Sequence, residues 1–270
     1  MDIREFCKQV REDTVLTIGS IGVGHIGGAL SIVEILAVLY TKVMNVDPKN
    51  PSMEGRDRLI VSKGHAGPAV YATLANMGYF DKKELLTLNH SGTRLPSHCD
   101  MNKTPGIDMT TGALGQGFSC AVGVALGSKI KNDGAYTYAI IGDGESQEGQ
   151  IWEAAMYAAQ MKLNRFIAFT DYNKMQIDGN IEDINNLAPL DKKWESFGWN
   201  VIVVKDGNNP DEVYEAILNA KKEDNKPSMI ICNTIKGKGV KAVEEKGFAN
   251  HNMPQSEEQT KEYIEEIRRG

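Results

Sequence analysis

The sequence has no long apolar run, no basic excess and no closely spaced cysteine pair, and each absence removes a class of function. No stretch approaches the roughly 20 apolar residues that span a bilayer, and the N-terminus, MDIREFCKQVRED, is too charged for a signal peptide. A membrane partner is therefore not expected. Lys and Arg number 30 against 36 Asp and Glu, a net charge of −6, so no broad basic face is offered to nucleic acid. The four cysteines, Cys7, Cys99, Cys120 and Cys232, stand far apart with no CxxC. That pattern suits reduced thiols in a cytoplasm better than a disulfide frame or a zinc site. No internal repeat is visible and no Pro/Gly/Ser-rich linker divides the chain, which reads as a single domain over 1–270. A local anionic ligand remains compatible with the acidic balance, because backbone amides and a metal bind it without net positive charge.

What is present is an alternation of periods. Asp2–Ile18 reads as an amphipathic helix, with Ile3, Phe6, Val10, Val15 and Ile18 near one side. It runs into the glycine-dense GSIGVGHIGGAL, after which Ser31 is placed to cap a second helix through about Met44. RLIVS, YTYAIIGDG, RFIAFTDYN, VIVVKDG and SMIICNTI read as short apolar strands, with helices between them. Among these helices, Ala113–Ile130 is rich in small residues and must pack tightly. Lys221-Lys222-Glu223-Asp224 reads as a solvated helix end, and a charged amphipathic helix over 256–269 closes the chain. Near-continuous apolar strands separated by helices predict an α/β fold, a parallel sheet with helices on both faces. Ligands of such sheets sit at the carboxyl ends of the strands.

Gly142-Asp143-Gly144 ends one of these strands and Asp171-Tyr172-Asn173 ends the next. The 28 residues between Gly144 and Asn173 hold one crossover helix and one strand. Asp143 and Asn173 are thus expected side by side on adjacent parallel strands. A carboxylate and an amide oxygen are hard ligands suited to Mg²⁺, which takes its other ligands from phosphate and water.

This constellation resembles the thiamine diphosphate signature, and its surroundings resemble transketolase. The matching blocks are Gly24-His25-Ile26-Gly27-Gly28-Ala29, Ser62-Lys63-Gly64-His65-Ala66, Leu95-Pro96-Ser97-His98, Thr110 through Gly117, Gln147-Glu148-Gly149, Lys174 with Ile177-Asp178-Gly179, and Lys236 through Gly239. They run in family order across nearly the whole chain. The resemblance implies a thiamine diphosphate-binding fold. It implies Asp143, Asn173 and the carbonyl of Met175 as ligands of Mg²⁺, with Ca²⁺ or Mn²⁺ as substitutes. Gly144 is implied as a backbone donor to the diphosphate, Gly112 and Leu114 as the loop at the pyrimidine end, and Ile177 as an apolar neighbour of the thiazolium. Glu148 matches an interfacial carboxylate linking two cofactor sites. His25, His65 and His251 match positions around the diphosphate and the reacting oxygens, with His65 on the cofactor. His98 matches a contact to the donor's terminal hydroxyl. His25, His98 and His251 are thereby the candidate catalytic residues, and His90 matches nothing. Cys99, beside His98, departs from the usual family residue and puts the local shape of the substrate pocket in question.

A complete transketolase is more than twice this length, and in the family the glutamate that meets the aminopyrimidine belongs to the second domain. The resemblance therefore implies an N-terminal, diphosphate-binding subunit completed by a C-terminal transketolase chain, with α2β2 stoichiometry and sugar phosphates as substrates. Two other readings stand beside it: the α subunit of a thiamine-dependent 2-oxo-acid dehydrogenase, and a non-catalytic cofactor-binding module.

Overall fold

The computed structural model describes residues 2–270. Five parallel strands form the sheet: β1 (Arg58–Val61), β2 (Thr137–Gly142), β3 (Phe166–Tyr172), β4 (Asn200–Val204) and β5 (Ser228–Asn233), in the order β1-β2-β3-β5-β4. Successive side chains along a strand point to opposite faces, and both faces here are covered. On one, Val61, Ile140, Phe169 and Ile230 pack against α3 (Val33–Val38), α4 (Gly67–Met77) and α8 (Pro210–Ala220). On the other, Ile60, Ile141, Ala168 and Ile231 meet α5 (Gln116–Lys131), α6 (Gly149–Gln160) and α7 (Leu190–Ser196). The strand VIVVKDG is an edge strand, and Val203 is 55% exposed. Its apolar run is unlike that of the central strands because one flank has no neighbour.

α1 (Ile3–Gly19) adds an outer layer, burying Phe6, Cys7 and Val10 against Val33, Ala37 and Ala72. Its far end meets α9 (Glu257–Arg269) through Val15, Ile18, Tyr263 and Ile267. α9 starts at a capping box between Ser256 and Gln259.

Three expectations are corrected. Ser31 does not N-cap the following helix: it is the C-cap of α2 (Ile26–Leu30), and its hydroxyl donates to the buried Asp171 carboxylate at 2.6 Å. The segment Ile26–Val43 is, by length and composition, apolar enough to cross a membrane. It is broken between α2, α3 and a wider turn over Leu39–Val43, and 83% of it is buried inside the protein as core. The Lys221–Asp224 helix end is exposed at Lys222 and Asp224, but Lys221 is half-buried. Its ammonium lies 4.4 Å from the Tyr136 ring centre, where the ring's negative face attracts it.

Candidate active site

The loops that leave the carboxyl ends of β1, β2, β3 and β5 surround one cleft of ≈ 310 Å³. All twelve anticipated residues line it: His25, His65, His98, Gly112, Leu114, Asp143, Gly144, Glu148, Asn173, Met175, Ile177 and His251. Asp143 and Asn173 meet there because β2 and β3 pair in parallel, with Gly142 opposite Asp171.

Asp143 is 2% exposed. One carboxylate oxygen accepts the Gly144 N–H at 2.8 Å and the other the Lys174 N–H at 2.5 Å. The chain reaches that second bond through Lys174 itself, a non-glycine in left-handed backbone (φ 67°). Burial, and then the neighbouring Asp171, push the Asp143 carboxyl up to about 7. Asp143 forms no ion pair among the described residues, and a buried anion without a countercharge is costly. The Asn173 amide nitrogen donates to Asp171 at 2.9 Å, which leaves its oxygen as the acceptor. One uncompensated carboxylate beside a fixed amide oxygen, with Met175 lining the same cleft, is a donor set that fits a hard divalent cation. Among the described residues no three His, Cys, Asp or Glu side chains gather as an alternative metal site.

Four imidazoles share the cleft. Ring centres lie 5.4 Å apart for His25 and His65, 5.8 Å for His25 and His98, and 5.3 Å for His25 and His251. Burial lowers all four. The nearby Lys63 depresses His65 further, and Lys236 helps bring His251 to about 4. Each ring is therefore neutral near pH 7, with one nitrogen able to donate and one to accept. His90 is exposed and outside the cleft. Cys99 is buried in the core on the α3/α4 face and does not line the cleft, so the anticipated local change of pocket shape does not arise from it.

Close backbone packing sets the positions of these rings. Gly112 has φ +149°, and a Cβ there would lie 3.1 Å from His98 Cδ2. Gly27 follows the His25 turn, its carbonyl accepting the Gly237 N–H at 3.0 Å. A Cβ at Gly27 would stand 1.9 Å from Asn250 Oδ1 and 2.8 Å from the Asn250 carbonyl oxygen. Asn250 in turn donates to the carbonyls of Lys236 and Val243. Gly27→Ala is thus expected to destabilise the chain by about 1–3 kcal/mol, the usual cost of overpacking. Chemical denaturation measures it, and an unchanged midpoint would show that the Asn250 loop yields freely.

Several residues of the site were not anticipated in their roles. Lys63 and Asp171 form a buried ion pair at 2.5 Å. Glu145 accepts from the Ser62 hydroxyl and from the N–H groups of Gly115 and Gly142, bracing the turn after β2. Lys236, lowered to about 8 by burial and by Lys63, lines the cleft beside His251. The signals in the sequence were position, at or just beyond the end of an apolar strand, and, for Lys63 and Lys236, membership of blocks that resemble the family.

Comparison with known proteins gives the family. Residues 4–267 match the family model described as transketolase, thiamine diphosphate binding domain. The chain is 55% identical over 267 residues to one subunit of the 6-deoxy-6-sulfo-D-fructose transketolase of Clostridium sp. (strain MSTE9), covering 99% of this chain and 96% of that one. It is 42% identical over 248 residues to one subunit of the apulose-4-phosphate transketolase of Actinobacillus succinogenes, covering 92% and 89%. A transketolase from Leishmania mexicana superposes with a TM-score of 0.91 at 30% identity over 99% of this chain and 41% of that structure. The chain thus spans about two fifths of a full-length transketolase and nearly all of the separate subunits.

Proposed function

The chain belongs to the transketolase family as an N-terminal, thiamine diphosphate-binding subunit, and we propose that with Mg²⁺ and a C-terminal partner chain it transfers a two-carbon ketol unit from a sulfonated ketose to an aldose. The observation that carries this reading is the convergence of Asp143, Asn173, Met175 and four neutral histidines on one cleft. Thiamine diphosphate supplies the carbon nucleophile and electron sink for breaking the bond beside a ketose carbonyl.

The chain's residues hold and surround that chemistry. Asp143, the Asn173 oxygen and the Met175 carbonyl would hold the cation, and the Gly144 N–H, which donates to Asp143 at 2.8 Å, would be shared with the diphosphate. His65 would stand beside the cofactor, Gly112 and Leu114 at its pyrimidine end, and Ile177 against the thiazolium. His25 and His251 take and return protons at the reacting oxygens, which a neutral imidazole does well near pH 7. His98 bonds the donor's terminal hydroxyl. Glu148 sits at the mouth of the cleft, where two copies of each chain bring two sites together as α2β2. We place the enzyme in the cytoplasm, in keeping with four cysteines that are all free.

The donor is chosen by resemblance: the relative named for 6-deoxy-6-sulfo-D-fructose is 55% identical, against 42% for the one named for apulose 4-phosphate. Removing two carbons from that six-carbon ketose leaves a four-carbon sulfonated aldose. Turnover of 6-deoxy-6-sulfo-D-fructose, apulose 4-phosphate and xylulose 5-phosphate by the chain with its partner tests the choice. Faster turnover of either phosphate would replace the sulfonate donor. Activity on pyruvate with a lipoyl acceptor would move the reading to the 2-oxo-acid dehydrogenases.

His98→Ala is expected to lower kcat by roughly 10²-fold or more while leaving cofactor affinity within a few-fold. Normal turnover with weakened cofactor binding would place His98 at the diphosphate instead.

A further inference from the structure

Asp171 carries no role in the reading above, yet it is fully buried and accepts four side-chain donors. One oxygen receives Ser31 Oγ at 2.6 Å, Lys63 Nζ at 2.5 Å and Asn173 Nδ2 at 2.9 Å. The other accepts from the Thr234 hydroxyl. Its main-chain carbonyl accepts the Asp143 N–H at 3.3 Å. Lys63 also donates to the Gly28 carbonyl at 2.8 Å, which ties the pair to the turn after His25.

We propose that Asp171 is a positioning residue for the metal site, holding the Asn173 amide with its oxygen toward the cation, with Lys63 as the partner that neutralises it. An amide has two nearly isosteric ends, and only the oxygen can ligate. Its partners choose between them: the Met175 N–H donates to the oxygen at 3.1 Å, and on the nitrogen side stands a carboxylate, which only accepts. Asp171 is kept in that form by four donors. The same residue reaches both side-chain ligands, Asn173 through its carboxylate and Asp143 through its carbonyl.

Lys63 and Asp171 have separable consequences. In Asp171→Asn the partner can itself donate, so Asn173 keeps only the Met175 N–H to orient it. Lys63→Met leaves the carboxylate and three of its donors, so the orientation persists. Lys63→Met/Asp171→Asn removes the buried charges together. This variant is expected to recover stability, because breaking one side of a buried pair costs far more than replacing both.

The inference rests on the metal reading, and titration of Mg²⁺ into the chain assembled with its partner, at saturating thiamine diphosphate, separates the two. Asp171→Asn is expected to weaken Mg²⁺ binding by roughly 10–100-fold, the range for lost outer-sphere partners, whereas Lys63→Met stays within a few-fold of native. The double variant should regain its melting temperature but not its Mg²⁺ affinity, a split that a merely structural pair does not give. If Mg²⁺ affinity returns with the melting temperature, or if Asp171→Asn binds as native, the positioning role is wrong while the metal site stands. No Mg²⁺ binding by the native protein overturns the metal reading and this inference with it.

Discussion

Asp143→Asn is expected to raise the melting temperature of the metal-free chain at pH 8 and to abolish its Mg²⁺-dependent binding of thiamine diphosphate. The two effects share one cause. The carboxyl is pushed from an ordinary 3.8 up to about 7 in the fold, first by burial and then by Asp171. A group whose native value is raised adds stability that is fully present below pH 3.8 and lost as pH climbs through about 7. Above that, the metal-free protein carries a buried, unpaired anion. At 1.36 kcal/mol per unit the penalty is at most on the order of 4 kcal/mol. Asparagine keeps the shape without the charge, so a rise of about 2–6 °C follows after allowing for weaker bonds from Gly144 and Lys174.

Loss of the charged ligand has the opposite result for the loaded protein, with cofactor affinity falling more than about 100-fold. The pH profile gives a second check. The histidines are lowered in the fold, His251 to about 4 from 6.5, so their contribution is present above 6.5 and lost as pH falls toward 4. In the native metal-free chain this trend and that of Asp143 oppose each other between about pH 4 and 6.5. In Asp143→Asn that opposing trend is removed, leaving Glu145, also raised by burial, against the histidines, and the melting temperature should climb more steeply than in the native chain across that window. A variant that melts no higher than native at pH 8 and still binds the cofactor would mean that Asp143 is not the metal ligand.

The purified chain alone is expected to show no ketol transfer, and the activity to appear when its partner is added. The physical basis is the exposed surface of the two helices that begin at the cleft. α5 exposes Cys120, Gly123 and Ile130, the last 75% exposed, and α6 exposes Met156 at 59% and Tyr157 at 49%. Leu114 and Glu148, just ahead of these helices, line the cleft. A Cβ at Gly123 would touch nothing within 4 Å in the chain. Gly123→Arg should therefore leave the isolated chain as stable as native or slightly better, since Gly is the poorer helix former by about 1 kcal/mol. The same substitution inserts a long cation into a face where subunits must meet closely. Obligate interfaces commonly bury about 2,000–5,000 Å², and the variant should fail to assemble and so lack activity. Size-exclusion with light scattering, run beside a coupled ketol-transfer assay, reads both halves. Full activity from the native chain by itself would overturn the two-chain enzyme. Normal assembly of Gly123→Arg would move the interface elsewhere.

Much of the site was legible because it rests on local rules. Buried strands must be apolar and glycine must stand where backbone approaches closely, so Gly142-Asp143-Gly144 announces a strand end and a turn. Parallel neighbours joined by one crossover bring Asp143 beside Asn173, and the observed register places Gly142 opposite Asp171. The histidines were legible through the glycine-rich and loop segments that carry them.

Less legible was anything that joins segments far apart. Ser31 reads as an ordinary helix cap, yet it is spent on a carboxylate 140 positions away. Lys63 and Asp171 are 108 residues apart, and no local pattern distinguishes a buried lysine from a solvated one. The strand SMIICNTI lies inside the sheet and VIVVKDG at its edge, although the second precedes the first in the chain and both are apolar. Local pattern alone yields the elements, the strand ends that hold the chemistry and the resemblance to the family. Which charges are neutralised and which way Asn173 faces depend on the packed whole, because burial and pairing join segments that no local pattern connects.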